Sequence, residues 1–401
     1  MRYGLIGYPL GHSFSEKIHR LLGNYDYRLY PLQEEELDPF VHQPDIGGLN
    51  VTIPYKQKVI RFCAALSDAA AQIGSVNVLE KTERGIIGHN TDCDGFLYMA
   101  QRAGVSMEGR KVVILGSGGT SLTAAWCAKK CGASEIVKIS RSGPDNYHNL
   151  FRHRDAGVLI NTTPVGMYPG NGEAAVQLSA FDGLQGVLDV VYNPLKTELI
   201  LQAEALGIPC GGGLPMLVEQ AVAANRIFFG SAPDASVTER VLQVMQRDME
   251  NIVLVGMPGC GKSSAGRAAA ALLGRPFADL DEEIQKAEGR SPEEIIKTDG
   301  ETAFREAEAA CARRIGREHG LVIACGGGVP LREENVKALR QNGRIIFIKR
   351  PLDQLAVEGR PLSVDLPALY ERRLPFYEAA ADAVLENDST VAALAEKIAA
   401  L

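Results

Sequence analysis

Residues 251–263, Asn251-Ile-Val-Leu-Val255-Gly256-Met-Pro-Gly-Cys-Gly261-Lys262-Ser263, carry an apolar run into a glycine-punctuated turn that ends in Lys–Ser. The turn fits GxxxxGK[ST] in full, and the alanine-rich SAGRAAAALLG behind it reads as a helix. Strand, loop and helix are therefore expected in that order. Glycines let successive backbone N–H groups turn inward around phosphate oxygens, at a helix N-terminus that favours negative charge. On this reading Gly259, Cys260, Gly261, Lys262, Ser263 and Ser264 wrap a nucleotide's phosphates, Lys262 reaches the β- and γ-phosphates, and the Ser263 hydroxyl ligates Mg²⁺. A chance glycine-rich turn would not bring the flanking strand, the helix and Lys–Ser together.

A second strand–glycine–helix unit begins at Lys111. Gly116-Ser117-Gly118-Gly119-Thr120-Ser121 follows KVVIL and opens TSLTAAWCAKK, giving G-x-G-x-x-S with Ser where a third Gly or Ala is usual. An NAD site would place Asp or Glu after the next strand, but this chain has Ser140-Arg141-Ser142 there. A guanidinium flanked by hydroxyls suits a 2′-phosphate, so NADP(H) is expected. Arg141 as plain surface charge is the alternative.

The two units divide the 401 residues into blocks of about 1–105, 106–214 and 251–401. Strands are expected at Tyr3–Ile6, Gly48–Thr52, Lys111–Leu115, Glu135–Ile139, Val158–Asn161, Gly186–Val191, Ile252–Val255, Leu321–Ala324 and Arg344–Ile348, with helices after most of them, an α/β pattern. Val237, Val241, Leu242 and Met245 recur at helical spacing behind a possible Ser236 N-cap, which leaves a linker of a few residues around Arg247–Glu250. Hydrophobic residues at 46% and charged residues at 23% are an ordinary globular balance. The net charge of −7 argues against nucleic acid as a partner. No apolar run reaches membrane-spanning length, and the first residues do not read as a signal peptide. The eight cysteines show no CxxC or zinc spacing; Cys127 and Cys131, one helical turn apart, read as reduced thiols, and a cytoplasmic location is expected.

Around the P-loop, further groups follow in order: Phe277-Ala-Asp279-Leu-Asp281, Phe304-Arg305-Glu306-Ala-Glu308, Cys325-Gly326-Gly327-Gly328-Val329, Glu358-Gly-Arg360-Pro361-Leu362, and Glu371-Arg-Arg373-Leu-Pro375-Phe-Tyr377. This series resembles shikimate kinase over essentially all of 251–401. The resemblance implies a P-loop domain with a parallel sheet, like that of nucleoside-monophosphate kinases. It gives Asp279 a share of the Mg²⁺, sets Asp281 against the hydroxyl to be phosphorylated, and clamps a small carboxylate between Arg305 and Arg373. Gly327 and Gly328 then let backbone approach the ring, and Arg360 belongs to a lid closing on ATP. Paired guanidinium groups suit a carboxylate. The lid stretch is shorter than the family pattern, the basic residue that often precedes Arg-Pro-Leu is absent, and Arg350 lies too near a strand to be taken as its substitute, so a less enclosing lid is expected.

Upstream, His12-Ser13-Phe14-Ser15, Asn50-Val-Thr52-Ile-Pro-Tyr-Lys56, Ser75-Val-Asn77, Gly88-His-Asn-Thr-Asp92, Asn161-Thr-Thr-Pro-Val-Gly-Met167 and Met216-Leu-Val-Glu-Gln220 resemble shikimate dehydrogenase over about 1–248. That resemblance implies a split α/β substrate domain, 1–105 with 215–248, and a Rossmann-like NADP domain, 106–214, inserted between. Ser13, Ser15, Thr52, Asn77, Asp92 and Gln220 would hold the substrate, with Tyr192 nearby, and Lys56 with Asp92 would be the catalytic pair. It also assigns Asp68, Val190 and Gly213 to the cofactor. Reduction of a ketone develops an alkoxide, which an ammonium group can stabilise and protonate. His12 is read as structural, and no metal is called for in this half.

Together the resemblances imply a bifunctional enzyme whose first product, shikimate, is its second substrate. Two alternatives remain open at this point: a nucleotide-binding kinase-like module that regulates a working dehydrogenase, and a quinate-type dehydrogenase.

Overall fold

The computed structural model describes residues 1–11, 13–230, 234, 236–355 and 366–401. The chain separates into two compact units, residues 1–193 with 197–246, and residues 194–196 with 247–401.

The first unit holds two sheets. The N-terminal sheet uses β1 (Arg2–Gly7), β2 (Tyr27–Pro31), β3 (Ile46–Val51), β4 (Ala65–Leu66), β5 (Val78–Thr82) and β6 (Gly85–His89), with α1 (Ser15–Leu22), α2 (Leu37–Val41), α3 (Asp68–Ile73) and α4 (Asp92–Arg102) between or after them. Its order is β2-β1-β3-β5-β6-β4. β1 runs parallel to β2 and β3, whereas β5 pairs antiparallel with both β3 and β6. The hairpin joining β5 to β6 turns at Gly85, whose φ of +110° disfavours a side chain.

The second sheet contains β7 (Lys111–Leu115), β8 (Glu135–Ile139), β9 (Val158–Asn161), β10 (Gly186–Asp189) and β11 (Cys210–Gly211), in the order β11-β10-β9-β7-β8 and parallel throughout. Strand order reverses at β7, whose carboxyl end opens into α5 (Gly119–Lys130) through the glycine turn. Such switch points form crevices that take ligands. β7, β9 and β10 are buried almost along their whole length, as a parallel sheet covered on both faces requires. α6 (Glu198–Ala205) precedes β11, and α7 (Leu214–Phe229) returns to pack along α4 and α1. The α4–α7 crossing is close because Gly95 has no side chain: a Cβ there would lie 2.4 Å from the Met216 carbonyl oxygen. α8 (Val237–Met249) buries Val237, Val241, Leu242 and Met245, the expected apolar stripe. It runs further than the sequence indicated. Arg247, Asp248 and Met249 are helical, so Glu250 alone stands between this helix and the next strand.

The second unit is a parallel sheet of β12 (Asn251–Val255), β13 (Phe277–Asp279), β14 (Val322–Ala324), β15 (Gly343–Lys349) and β16 (Ala383–Glu386), in the order β13-β14-β12-β15-β16. Its helices are α9 (Lys262–Leu273), α10 (Leu280–Glu288), α11 (Pro292–Asp299), α12 (Glu301–Gly316), α13 (Glu333–Arg340), α14 (Leu366–Ala380) and α15 (Val391–Ala399). β12, which carries the P-loop, is central, with β14 and β15 as neighbours.

Candidate functional sites

In the first unit, the carboxyl ends of β1 and β3, the start of α1, the loop after β10 and the first turns of α4 and α7 enclose a cavity of about 290 Å³. Ser13, Ser15, Thr52, Lys56, Asn77, Asp92, Tyr192 and Gln220 all line it, so every substrate residue expected of this half meets there. Asp92 opens α4, where the helix N-terminus favours its negative charge. The Lys56 ammonium donates to its Oδ2 at 2.6 Å, with the two side chains only 18% and 9% exposed. Asn77 braces the carboxylate: its Nδ2 donates to Asp92 Oδ1 at 2.9 Å and to Thr91 Oγ1 at 3.0 Å, while its Oδ1 accepts from the Thr91 N–H at 2.7 Å. Asn77 is thus committed to positioning Asp92 as well as to lining the cavity. Burial raises the Tyr192 phenol above its ordinary pKa, leaving a neutral hydroxyl near neutrality. Asn50 was missed as a site residue. It is buried on the cavity wall and accepts from the Tyr27 hydroxyl at 2.9 Å. Its place in the NVTIPYK motif was the available signal.

A second cavity, about 690 Å³, lies beside the β7 turn and is lined by Gly116, Ser117, Gly118, Gly119, Thr120, Ser140 and Arg141. Lys56 and Thr120 line both cavities, which puts the lysine at their junction. Gly116 has φ +115°, and a Cβ there would meet Thr162 Oγ1 at 2.6 Å. Ser121 is tolerated in place of a third glycine because its buried hydroxyl donates to the Gly118 carbonyl at 2.6 Å, closing the loop on itself. Val190 and Gly213 line the substrate cavity rather than this one. Asp68 and Ser142 are exposed and line neither. Asp68 sits in the first turn of α3 behind the Ser67 cap, where a carboxylate suits the helix end. Ile53, Tyr147 and Thr163 also line this second cavity and were not anticipated; Ile53 is 73% exposed, unusual for so apolar a residue. The open arginine beside Ser140, with the glycine cradle, fits a phosphorylated dinucleotide.

In the second unit, a cavity of about 510 Å³ is lined by Gly259, Gly261, Lys262, Ser263, Ser264, Asp279, Asp281, Arg305, Gly327, Gly328 and Arg373. Gly256, Gly259 and Gly261 all have positive φ, and a Cβ on Gly256 would lie 2.5 Å from the Ile348 carbonyl oxygen, so the loop needs glycine there. Cys260, expected among the phosphate-binding residues, is fully buried and does not line this cavity. The Lys262 ammonium donates to the Gly256 and Met257 carbonyls, both at 2.9 Å. Ser263 Oγ donates to Asp279 Oδ2 at 2.6 Å, and Asp279 Oδ1 caps α10 through the Asp281 N–H. A hydroxyl and a carboxylate meeting at a P-loop fit Mg²⁺, which takes few protein ligands and relies on phosphate and water.

The glycine turn 326–328 is ringed by the acceptor residues. A Cβ on Gly326 would approach Asp281 Oδ1 to 2.9 Å, one on Gly327 would approach Arg373 Nη1 to 3.0 Å, and one on Gly328 would overlap Arg305. Tyr377 pins the turn by donating to the Gly327 carbonyl at 2.7 Å. Glu308, whose side chain is 1% exposed, holds Arg305 at 3.0 Å. Burial pushes the Glu308 carboxyl up, with Arg305 opposing. Glu308 and Tyr377 were visible only as letters within motifs. Arg350, set aside on sequence grounds, also lines this cavity. Arg360 and the lid stretch 356–365 lie outside the described residues, as does His12.

The eight cysteines form no disulfide among the described residues, and no helix among them is long and apolar enough to cross a membrane. A switch-point glycine turn facing a lysine–aspartate cavity, followed by a P-loop facing an arginine-ringed pocket, defines a nucleotide-dependent oxidoreductase joined to a phosphotransferase. Family models match accordingly: the shikimate dehydrogenase substrate binding domain over residues 5–79, the shikimate 5′-dehydrogenase C-terminal domain over 213–243, and shikimate kinase over 258–401. The NADP(+) shikimate dehydrogenase of Clostridium perfringens strain SM101 is 34% identical over 265 residues, 61% of this chain and 98% of the relative. A chorismate mutase/shikimate 5-dehydrogenase fusion protein from Clostridium acetobutylicum aligns with TM-score 0.59 at 33% identity, covering 61% of this chain and 96% of that one. Shikimate 5-dehydrogenase from Thermus thermophilus, solved with NADP(H) and shikimate, aligns with TM-score 0.55 at 27% identity, covering 61% and 99%. The chain belongs to the shikimate dehydrogenase family and carries a shikimate kinase domain behind it.

Proposed function

We propose that this is a cytoplasmic bifunctional enzyme of aromatic amino-acid (chorismate) biosynthesis. The first unit reduces 3-dehydroshikimate to shikimate, and the second phosphorylates shikimate at its 3-hydroxyl. The observation that carries the reading is the position of Lys56, paired with Asp92 at the junction of the two cavities of the first unit. NADPH, when bound, supplies the hydride. The Lys56 ammonium stabilises the developing alkoxide and delivers its proton, while Asp92, braced by Asn77, keeps that ammonium aimed. Ser13, Ser15, Thr52, Tyr192 and Gln220 bind the hydroxyls and carboxylate of the ring. Gly116–Thr120 receive the cofactor's pyrophosphate, and Arg141 with Ser140 its 2′-phosphate.

In the second unit Asp281 accepts the proton of the attacking hydroxyl, and Arg305 and Arg373 clamp the shikimate carboxylate. Lys262 gathers the phosphates, and Ser263 and Asp279, which meet at the P-loop, would hold a Mg²⁺ that offsets phosphate charge. Arg360, on the lid stretch, is assigned to the same phosphates.

Supplying dehydroshikimate, NADPH and ATP with Mg²⁺ together should yield shikimate 3-phosphate, NADP⁺ and ADP. Lys56→Ala should lose reduction and keep phosphorylation of added shikimate, and Lys262→Ala the reverse. Retention of both activities by both variants would refute the assignment, and ADP release that ignores shikimate would favour a regulatory module.

A further inference from the structure

Of the four cations that line the P-loop cavity among the described residues, Lys262 is held by loop carbonyls, Arg305 by Glu308 and Glu301, and Arg373 stands over the glycine turn. The fourth is Arg350. It follows directly on β15, the neighbour of the P-loop strand β12. Two contacts fix where that strand end lies. The Ile348 carbonyl sits against Gly256, the first residue of the P-loop, at a distance that no Cβ could share. The Lys349 carbonyl accepts from the Asn387 N–H at 2.7 Å, and the Asn387 side chain in turn donates to the Cys260 carbonyl inside the loop at 2.7 Å. Arg350 therefore stands at the rim of the phosphate loop, just past the carboxyl end of an interior strand. Its Nε is buried with no hydrogen-bond partner, as is that of Arg373, and no carboxylate among the described residues pairs with Arg350. A buried, unpaired guanidinium edge is costly unless an anion completes it. Nε together with a neighbouring Nη is the guanidinium edge whose fork matches two phosphate oxygens.

We propose that Arg350 binds the terminal phosphates of the nucleotide as a fixed cation built on the sheet. The inference rests on the phosphotransferase reading of this unit and deepens it. Between Arg350 and Leu366 the sequence offers one further basic residue, Arg360. An arginine carried at the strand end adds a positive charge beside Lys262 that does not depend on residues 356–365.

The test uses the full chain as wild type, Arg350→Ala and Arg350→Lys, titrated with ATP, inorganic tripolyphosphate and AMP. Arg350→Ala should weaken ATP and tripolyphosphate at least about tenfold, the range expected for losing a charge-assisted pair, and leave AMP unchanged. Retained AMP binding also shows that the P-loop unit is folded. Arg350→Lys should recover part of the loss, since it keeps the charge and not the fork. KM for shikimate should stay at the wild-type value. Unchanged ATP and tripolyphosphate affinities would overturn the proposal, and so would an equal loss for AMP, which would move Arg350 to the base or ribose. If the wild type binds ATP without phosphorylating shikimate, the kinase reading fails while the ATP-to-AMP comparison still decides on Arg350.

Discussion

Removing Glu308 separates two things that this carboxylate does for Arg305. Glu308 is almost wholly inaccessible and accepts from Arg305 Nη1 through both oxygens, at 3.1 and 3.0 Å. Arg305's other partner, Glu301, is 63% exposed, and pairs of that kind are worth under about 1 kcal/mol. Glu308→Ala therefore strips a mostly buried guanidinium of its main anchor, at a cost of about 3 kcal/mol to the P-loop unit, the low end for a broken buried pair because Arg305 keeps some solvent. Freed from Glu308, Arg305 no longer stands over Gly328, and KM for shikimate should rise about tenfold. Glu308→Gln keeps one acceptor and the shape while removing a negative charge near the substrate carboxylate. Losing the charge-assisted bond costs about 1 kcal/mol. Relief of repulsion between Glu308 and the substrate carboxylate offsets that cost in part. KM should then stay within about threefold of wild type. The pH dependence has a definite sign. Because burial raises the Glu308 carboxyl in the folded state, the native chain binds more protons than the unfolded chain just above the ordinary glutamate range. Stability is then lost as pH rises through that window, and Glu308→Gln should flatten the slope. Shikimate-dependent ADP release and chemical denaturation at several pH values would measure these effects, with reduction of dehydroshikimate as an internal control. Wild-type KM and stability in Glu308→Ala would refute the reasoning, as would equal KM values for the two variants.

Three further outcomes are expected. Gly116→Ala forces a side chain into φ +115° against Thr162, so it should cost about 1–3 kcal/mol of local strain and raise KM for NADPH more than KM for dehydroshikimate. Arg141→Ala should erode the preference for NADPH over NADH about tenfold or more, read as the ratio of kcat/KM values; an unchanged ratio would return Arg141 to plain surface charge. Asp189 is fully buried and accepts from Asn161, Thr197 and the Val191 N–H; burial raises its carboxyl from 3.8 to about 6, with those hydrogen bonds opposing. Native Asp189 thus holds its proton longer than the unfolded chain does, and stability should fall by about 3 kcal/mol as pH rises from about 4 to about 6. Asp189→Asn should remove that slope from the unfolding transition of the first unit.

The sequence by itself determined the two strand–glycine–helix units and named residues that the structure brings together: Ser263 with Asp279 at the P-loop, Lys56 with Asp92, and Arg305 with Arg373 around the glycine turn. Each of these is written in a motif a few residues long, or in an ordered series of them, because phosphate and carboxylate recognition demands fixed residue types at fixed spacing. Strands with the same local clarity, such as Lys111–Leu115 and Val158–Asn161, coincide with the structure residue for residue. The short strands β2, β4, β5, β6, β11 and β16 were not legible: YRLYP, VLEKT and AVLE carry no sustained apolar run, and their pairing comes from neighbours elsewhere in the chain. The tertiary structure alone decided the partners. Asn77 bracing Asp92, Glu308 beneath Arg305, Tyr377 pinning Gly327 and Asn387 reaching Cys260 each became meaningful only when packing set their side chains within hydrogen-bond distance. Arg350 shows the difference most plainly. Along the chain it is a charge at a strand end, and folding carries that strand end to the rim of the P-loop, where Arg350, its Nε buried without a partner, lines the cavity.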